Sequence, residues 1–67
     1  MITVEVNQQK HKVSESITLQ ALVSNLNIKT NGIAIAINNQ VIKKTDWDAK
    51  DLQNNDAILI IQSTQGG

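Results

Sequence analysis

Cysteine is absent from this chain. That excludes a disulfide framework, a thiolate metal site and a thiol nucleophile. Aromatic residues are almost absent: Trp47 stands alone, with no Phe or Tyr. A platform on which nucleic-acid bases could stack is therefore missing. Charge of one sign is missing too, since six basic and six acidic residues balance to zero. A phosphate backbone needs clustered positive charge, so nucleic acid is not an expected partner. No apolar run approaches the roughly 20 residues that a membrane span needs. The N-terminus has no basic segment followed by an apolar stretch, so neither a signal peptide nor a membrane partner is expected. The reading is a soluble intracellular protein of one domain spanning residues 1–67. A chain of 67 residues buries only about 60% of the surface its unfolded form exposes. A deep catalytic cleft is hard to build in that volume.

What is present alternates. Ile2, Val4 and Val6 fall on one face of a strand, with Thr3 and Glu5 on the other. Asn7 to Lys10 supplies a polar turn, and His11-Lys12-Val13 returns as a second strand. Thr18 is placed to cap a helix through its hydroxyl. Leu19, Leu22, Val23 and Leu26 follow at i, i+3, i+4 and i+7, which draws one apolar stripe along one helix face. In so small a domain that stripe must cover the sheet. Asn27 can end the helix. Asn31-Gly32 is a turn signal.

Ile33 to Ile37 is apolar at every position. It reads either as a central strand covered on both sides, or as one with small alanines beneath something bulky. Asn38-Asn39-Gln40 turns the chain into a short strand, Val41-Ile42-Lys43. Thr45 to Leu52 is irregular, with room for one helical turn around Trp47, which reads as a core plug. Asn54-Asn55-Asp56 is a last turn, where Asn tolerates the left-handed conformation. The final strand is Ala57 to Ile61.

Several residues invite a catalytic reading that their surroundings do not support. His11 has no second His and no Cys beside it, and reads as an exposed strand-edge residue. Asp46, Asp48, Asp51 and Asp56 lack the glycine and distal glutamate of a calcium loop, and lysines lie among them. They read as a solvated, self-neutralising loop. No phosphate-binding glycine loop, nucleophile elbow or zinc spacing occurs. The chain itself is expected to bind neither cofactor nor metal.

The end of the chain is different. Ile58 and Ile60 are expected to face the helix, which turns Leu59 and Ile61 to the opposite, uncovered face. Grouped apolar residues on a surface mark a partner site more often than chance. A polar stub, Gln62-Ser63-Thr64-Gln65, then leads to Gly66-Gly67. Residues 62–67 read as a flexible tail. Without Cβ atoms, a Gly-Gly end can enter a narrow slot. The group it delivers is a carboxylate with a reference pKa of roughly 3.3–3.7. That carboxylate is a poor electrophile until an enzyme adenylates it. The bland alternative is a frayed terminus.

The order hairpin, helix, strand, strand, final strand, Gly-Gly end resembles the β-grasp fold of ubiquitin-like proteins. This is an α+β arrangement in which a mixed sheet of four to five strands packs on one helix. Ala34-Ile35-Ala36-Ile37-Asn38, then Gln40-Val41-Ile42, Trp47, Asn55-Asp56 before a hydrophobic strand, and Gln65-Gly66-Gly67 resemble the ThiS family of thiamine-biosynthesis sulfur carriers. The resemblance spans essentially the whole chain. Where that family favours Asp-Gly-Asp before the last strand, this chain has Asn54-Asn55-Asp56, and Asn can replace Gly in a left-handed turn.

The resemblance implies a protein co-substrate and not an enzyme. An E1-like adenylyltransferase of the ThiF type, using ATP and Mg²⁺, would adenylate the Gly67 carboxylate. Sulfur from a persulfide donor would displace AMP and leave a thiocarboxylate. A thiazole synthase of the ThiG type would then take the sulfur. Gly66 would give access to the slot, and Leu59, Ile61, Ser63, Thr64 and Gln65 would touch the partners. A chain without cysteine is consistent with sulfur riding on the carboxylate. The implied location is cytoplasmic, or the organellar stroma if plastid-encoded. Three other readings stay open: the small subunit of molybdopterin synthase, a ubiquitin-like protein-modifying tag, and an interaction module with an inert tail.

Overall fold

The computed structural model describes residues 1–29 and 31–62. The expectations placed on Ser63, Thr64, Gln65, Gly66 and Gly67 lie outside the described residues.

Five strands and one α-helix follow in order: β1 Ile2–Val6, β2 Gln9–Val13, α1 Leu19–Asn25, β3 Ile33–Ile37, β4 Gln40–Ile42 and β5 Ala57–Gln62, with a 3₁₀ helix, Lys44–Ala49, between β4 and β5. The strand order across the sheet is β2-β1-β5-β3-β4. β1 and β5 run parallel, and the other pairs are antiparallel. This mixed five-stranded sheet with one helix is the β-grasp arrangement. The last strand in sequence is the central strand in space.

Two hairpins are made the same way. Val6 pairs with Gln9 and Ile37 with Gln40, leaving two-residue loops at Asn7-Gln8 and Asn38-Asn39. All four loop residues have positive φ, between 49° and 72°. Two left-handed residues in succession match the twist of the flanking strands. Asn suits such positions, because its short amide can hydrogen-bond locally. Asn55 is left-handed as well, with φ 72°.

The helix begins at Thr18, whose Oγ1 accepts from the Ala21 N–H at 3.1 Å. Leu19, Leu22 and Val23 on its stripe are fully buried, and Leu26 packs beside them. Past the end, Asn27 is left-handed with φ 56°. The core on this side of the sheet joins that stripe to Val4, Val6, Ile35, Ile37 and Ile58.

The 3₁₀ helix packs against α1 and closes the core from the flank. Trp47 is 1% exposed, and its indole N–H donates to the Ile42 carbonyl at 3.1 Å. Lys44 holds its ammonium 6.0 Å from the indole centroid. Leu19 N–H donates to the Lys50 carbonyl and Leu52 N–H to the Ile17 carbonyl, so the segment before β5 is stitched to the start of the helix.

The structure departs from the sequence reading at several places. Gln9 and Lys10, read as part of a turn, open β2, and β4 takes Gln40 and stops before Lys43. Gln62 pairs with Ile33 and belongs to β5, so the sheet claims the first residue assigned to the tail. His11 is half-buried rather than exposed. It lies opposite Val4, and directly paired residues share a face, so its side chain goes to the helix side. Asp56 is not part of a solvated loop. It is 9% exposed, and its carboxylate accepts from the Gln53 N–H at 2.8 Å and from the Asn38 amide at 3.1 Å.

Candidate functional site

Among the described residues, only one face of the sheet has a helix on it. Successive strand residues point to opposite faces. With Ile58 and Ile60 directed at the core, Ala57, Leu59 and Ile61 must point the other way. Register extends the row across three strands. Leu59 lies opposite Ala36, Ala36 opposite Val41, and Ile61 opposite Ala34. Leu59 is 49% exposed, Ile61 51% and Val41 70%. The small side chains of Ala34 and Ala36 form a shallow floor between the bulkier rows on β5 and β4. The apolar β3 run is covered on one side: its isoleucines face the core, Ala36 is buried between Leu59 and Val41, and Ala34 is exposed.

The same face changes character across the sheet. Glu5 lies opposite Lys10 and also beside Ala57, and Thr3 lies opposite Lys12. The β2–β1 half is therefore charged and the β5–β3–β4 half is apolar. Val41 is the member of the patch that sequence reasoning missed. The signal that could have found it is parity. Ile42 pairs with Ile35 on the core side, so its neighbour Val41 must face out.

β5 is held at its start and at Ile60 by asparagine side chains from the two hairpin turns. At its start, the Ala57 N–H donates to Asn38 Oδ1 at 3.0 Å, and the Asn38 N–H donates to the Ala57 carbonyl at 2.8 Å. Further along, the Ile60 N–H donates to Asn7 Oδ1 at 2.8 Å, and Asn7 Nδ2 donates to the Ile60 carbonyl at 3.4 Å. Asn54 Oδ1 accepts from the Thr3 N–H at 2.9 Å and ties the preceding turn to β1.

Leu59 and Ile61 thus stand on the open face, on a strand that leads directly to Ser63, Thr64, Gln65, Gly66 and Gly67. Asp46, Asp48 and Asp51 are exposed, and Asp46 shares a surface depression with Val41 at the rim of the patch. Among the described residues, no group of three or more His, Asp or Glu side chains could hold a metal. None of the described helices is long and apolar enough to cross a membrane.

The geometry defines a ubiquitin-like β-grasp protein with an open apolar sheet face beside its outgoing C-terminal strand. The model of the ThiS family matches residues 2–67, and the chain belongs to that family. It is 31% identical over 61 residues to the sulfur carrier protein ThiS of Escherichia coli (strain K12), covering 91% of this chain and 92% of the relative. The crystal structure of the thiamine biosynthesis protein ThiS from Geobacter metallireducens is similar in fold. Its TM-score is 0.85 at 23% identity, covering 98% of this chain and all of that one. A solution structure of a thiamine biosynthesis protein from the same organism gives a TM-score of 0.77 at 23% identity, covering 98% and 88%.

Proposed function

We propose that the chain is a sulfur carrier of thiamine biosynthesis, a protein co-substrate that delivers sulfur to thiazole formation on the C-terminal carboxylate of Gly67. The observation that carries this reading is the family match, which runs to Gly67 itself.

The chemistry follows from what the terminus can and cannot do. A carboxylate resists nucleophiles. An E1-like partner of the ThiF type supplies ATP and Mg²⁺. The Gly67 carboxylate attacks the α-phosphorus, pyrophosphate leaves, and an acyl adenylate forms. The terminal sulfur of a donor persulfide displaces AMP and forms an acyl disulfide; a thiol of the partner or donor then attacks the donor's sulfur, takes it up as a disulfide, and leaves Gly67 as a thiocarboxylate. A thiazole synthase of the ThiG type then receives the tail and takes the sulfur. Gly66 and Gly67 present no side chains to a narrow slot. Ser63, Thr64 and Gln65 give reach, at most ~3.3–3.6 Å per residue when extended. The apolar patch of Leu59, Ile61 and Val41 is the docking face, since an uncovered apolar cluster of this kind fits a protein partner.

The test is the intact mass of the chain after incubation with a ThiF-type enzyme, ATP, Mg²⁺ and a sulfur source. The expected result is a gain equal to sulfur replacing one oxygen, absent when Gly67 is deleted. Unchanged mass, or equal turnover by the Gly67 deletion, overturns the reading. Adducts on lysines of other proteins would point instead to a modifying tag.

A further inference from the structure

β1 ends early on its β5 side. In a regular parallel ladder the strand bonds alternately forward and back with every second residue of its neighbour. Glu5 N–H donates to the Asp56 carbonyl and Asn7 N–H to the Ile58 carbonyl, each at 2.9 Å. The next rung needs an acceptor for the Ile60 N–H and a donor for the Ile60 carbonyl. At Asn7 the backbone has already turned, with φ 49°, and its own peptide no longer continues the strand. The Asn7 side chain fills the gap. Its Oδ1 takes the Ile60 N–H at 2.8 Å, and its Nδ2 reaches the Ile60 carbonyl at 3.4 Å. A carboxamide carries the same donor and acceptor as a peptide group.

We propose that Asn7 is a positioning residue. Its carboxamide replaces the peptide group that β1 loses at its turn, holds the outer end of β5, and so fixes the direction in which the chain leaves the sheet towards Gly67. The proposal rests on the carrier reading above. Neighbouring strand residues turn their N–H and C=O groups to opposite sides, so with Ile60 directed at Asn7, Leu59 and Ile61 are directed at their β3 partners Ala36 and Ala34. The end of β5 is therefore gripped from both flanks, by β3 on one side and by a single side chain on the other. Releasing that side chain lets Ile60 detach from β1. Leu59, Ile61 and the end of the strand at Gln62 are then no longer held in one arrangement. A partner that must engage the patch and swallow the tail together binds only the fraction in which both are aligned, and its apparent affinity falls by that fraction.

The variant Asn7→Gly tests this cleanly. Glycine accepts a positive φ without cost, so the turn survives and only the carboxamide is lost. Gln8→Gly is the control, because it alters the same turn at φ 72° and removes a side chain with no bond to β5 among those of the described residues. Two readouts are taken on the full chain: amide hydrogen exchange, and KM and kcat for carrier-dependent pyrophosphate release by a ThiF-type enzyme. The expected result for Asn7→Gly is about a 10-fold loss of protection at Ile60, the size of one or two net hydrogen bonds. Val4 and Ile35 should keep their protection. KM should rise about twofold or more while kcat holds, as when the aligned state drops to about half the population. Gln8→Gly should change neither readout.

Unchanged protection at Ile60 overturns the clamp. Lost protection with an unchanged KM overturns the positioning role and leaves a local contact. A Gln8→Gly variant that behaves like Asn7→Gly assigns the effect to the turn and refutes the carboxamide. If the wild-type chain supports no pyrophosphate release, the carrier reading falls and the tail-positioning claim with it, while exchange at Ile60 still decides the clamp.

Discussion

The substitution Leu59→Asp separates a docking face from a core face, because the structure assigns it different costs for folding and for binding. Leu59 is about half exposed. Complete burial of a leucine is worth about 1.5–3 kcal/mol, so the half that is buried contributes about 1 kcal/mol. Aspartate is also a poor strand former, which adds up to about 1 kcal/mol on a central strand. The total is about 1–2 kcal/mol. A domain of this size is stable by roughly 3–10 kcal/mol, so the variant should fold, with Tm lowered by about 4–16 °C. Binding should suffer more. An apolar anchor buried in an interface commonly carries 2 kcal/mol or more, and the new carboxylate would be desolvated without a partner. The expected loss of affinity for a ThiF-type enzyme is roughly 30-fold or more. Leu22→Ala is the contrast. It removes a fully buried side chain and should cost about 2–5 kcal/mol of stability with no specific effect on binding by the folded fraction. The assay is thermal unfolding paired with titration calorimetry on both variants. A Leu59→Asp chain that fails to fold would mean the strand faces are reversed. One that folds and binds as tightly as wild type would refute the patch as a docking face.

Three further outcomes follow from particular bonds. Asp56→Ala removes the acceptor for the Gln53 N–H and the Asn38 amide, so urea unfolding should show a loss of about 2–4 kcal/mol, with Asp56→Asn losing less because one acceptor remains. Trp47→Phe deprives the Ile42 carbonyl of its indole donor and leaves a gap beside α1, for an expected loss of about 1–3 kcal/mol in the same assay. Ser16 sits at the third position of a turn closed by the Ile17 N–H on the Ser14 carbonyl, with φ 67°. Ser16→Gly should relieve left-handed strain and raise stability by about 0.5–1 kcal/mol, read as a Tm increase of a few degrees.

The parts of this fold that were legible in the sequence are those set by local chemistry. The Thr18 cap, the stripe from Leu19 to Leu26 and the alternation in β1 and β5 each depend on residues a few positions apart. The parts that were not legible depend on register. Whether His11 faces the helix or water is decided by its pairing with Val4, and a shift of one residue would reverse it. Val41 was hidden for the same reason. Asp56 resembled its neighbours Asp46, Asp48 and Asp51 by composition, and its meeting with Asn38, 18 residues away, adds a distant donor to the local Gln53 N–H. Asn7 and Asn38 could be recognised as turn formers, but not as clamps on backbone groups 53 and 19 residues away. In the candidate site, Leu59 and Ile61 could be placed on the uncovered face in advance, because parity within one strand is local.

An open apolar sheet face carries a hazard, and the strand order explains how this chain limits it. Unpaired strand edges recruit other chains, and a hydrophobic face beside a free edge makes pairing worse. Here the apolar strand β5 is central, with β3 along one flank and β1 along the start of the other, where the Asn7 side chain then covers Ile60, so the strand bearing Leu59 and Ile61 offers little free edge. The edges fall to β2 and β4. β2 carries Lys10 and Lys12, while β4 is three residues long and runs straight into Lys43 and Lys44. Charged and short edges both resist strand addition. The placement also bears on the departing chain. An edge strand is held from one side and frays, whereas β5 is paired with β3 from Ile58 to Gln62 and is held on the other flank by β1 and the Asn7 side chain as far as Ile60. A central last strand thus accounts for two features together: an apolar face that does not propagate, and a strand whose buried Ile58 ties it to the core before it reaches the exposed Ile61 and Gln62.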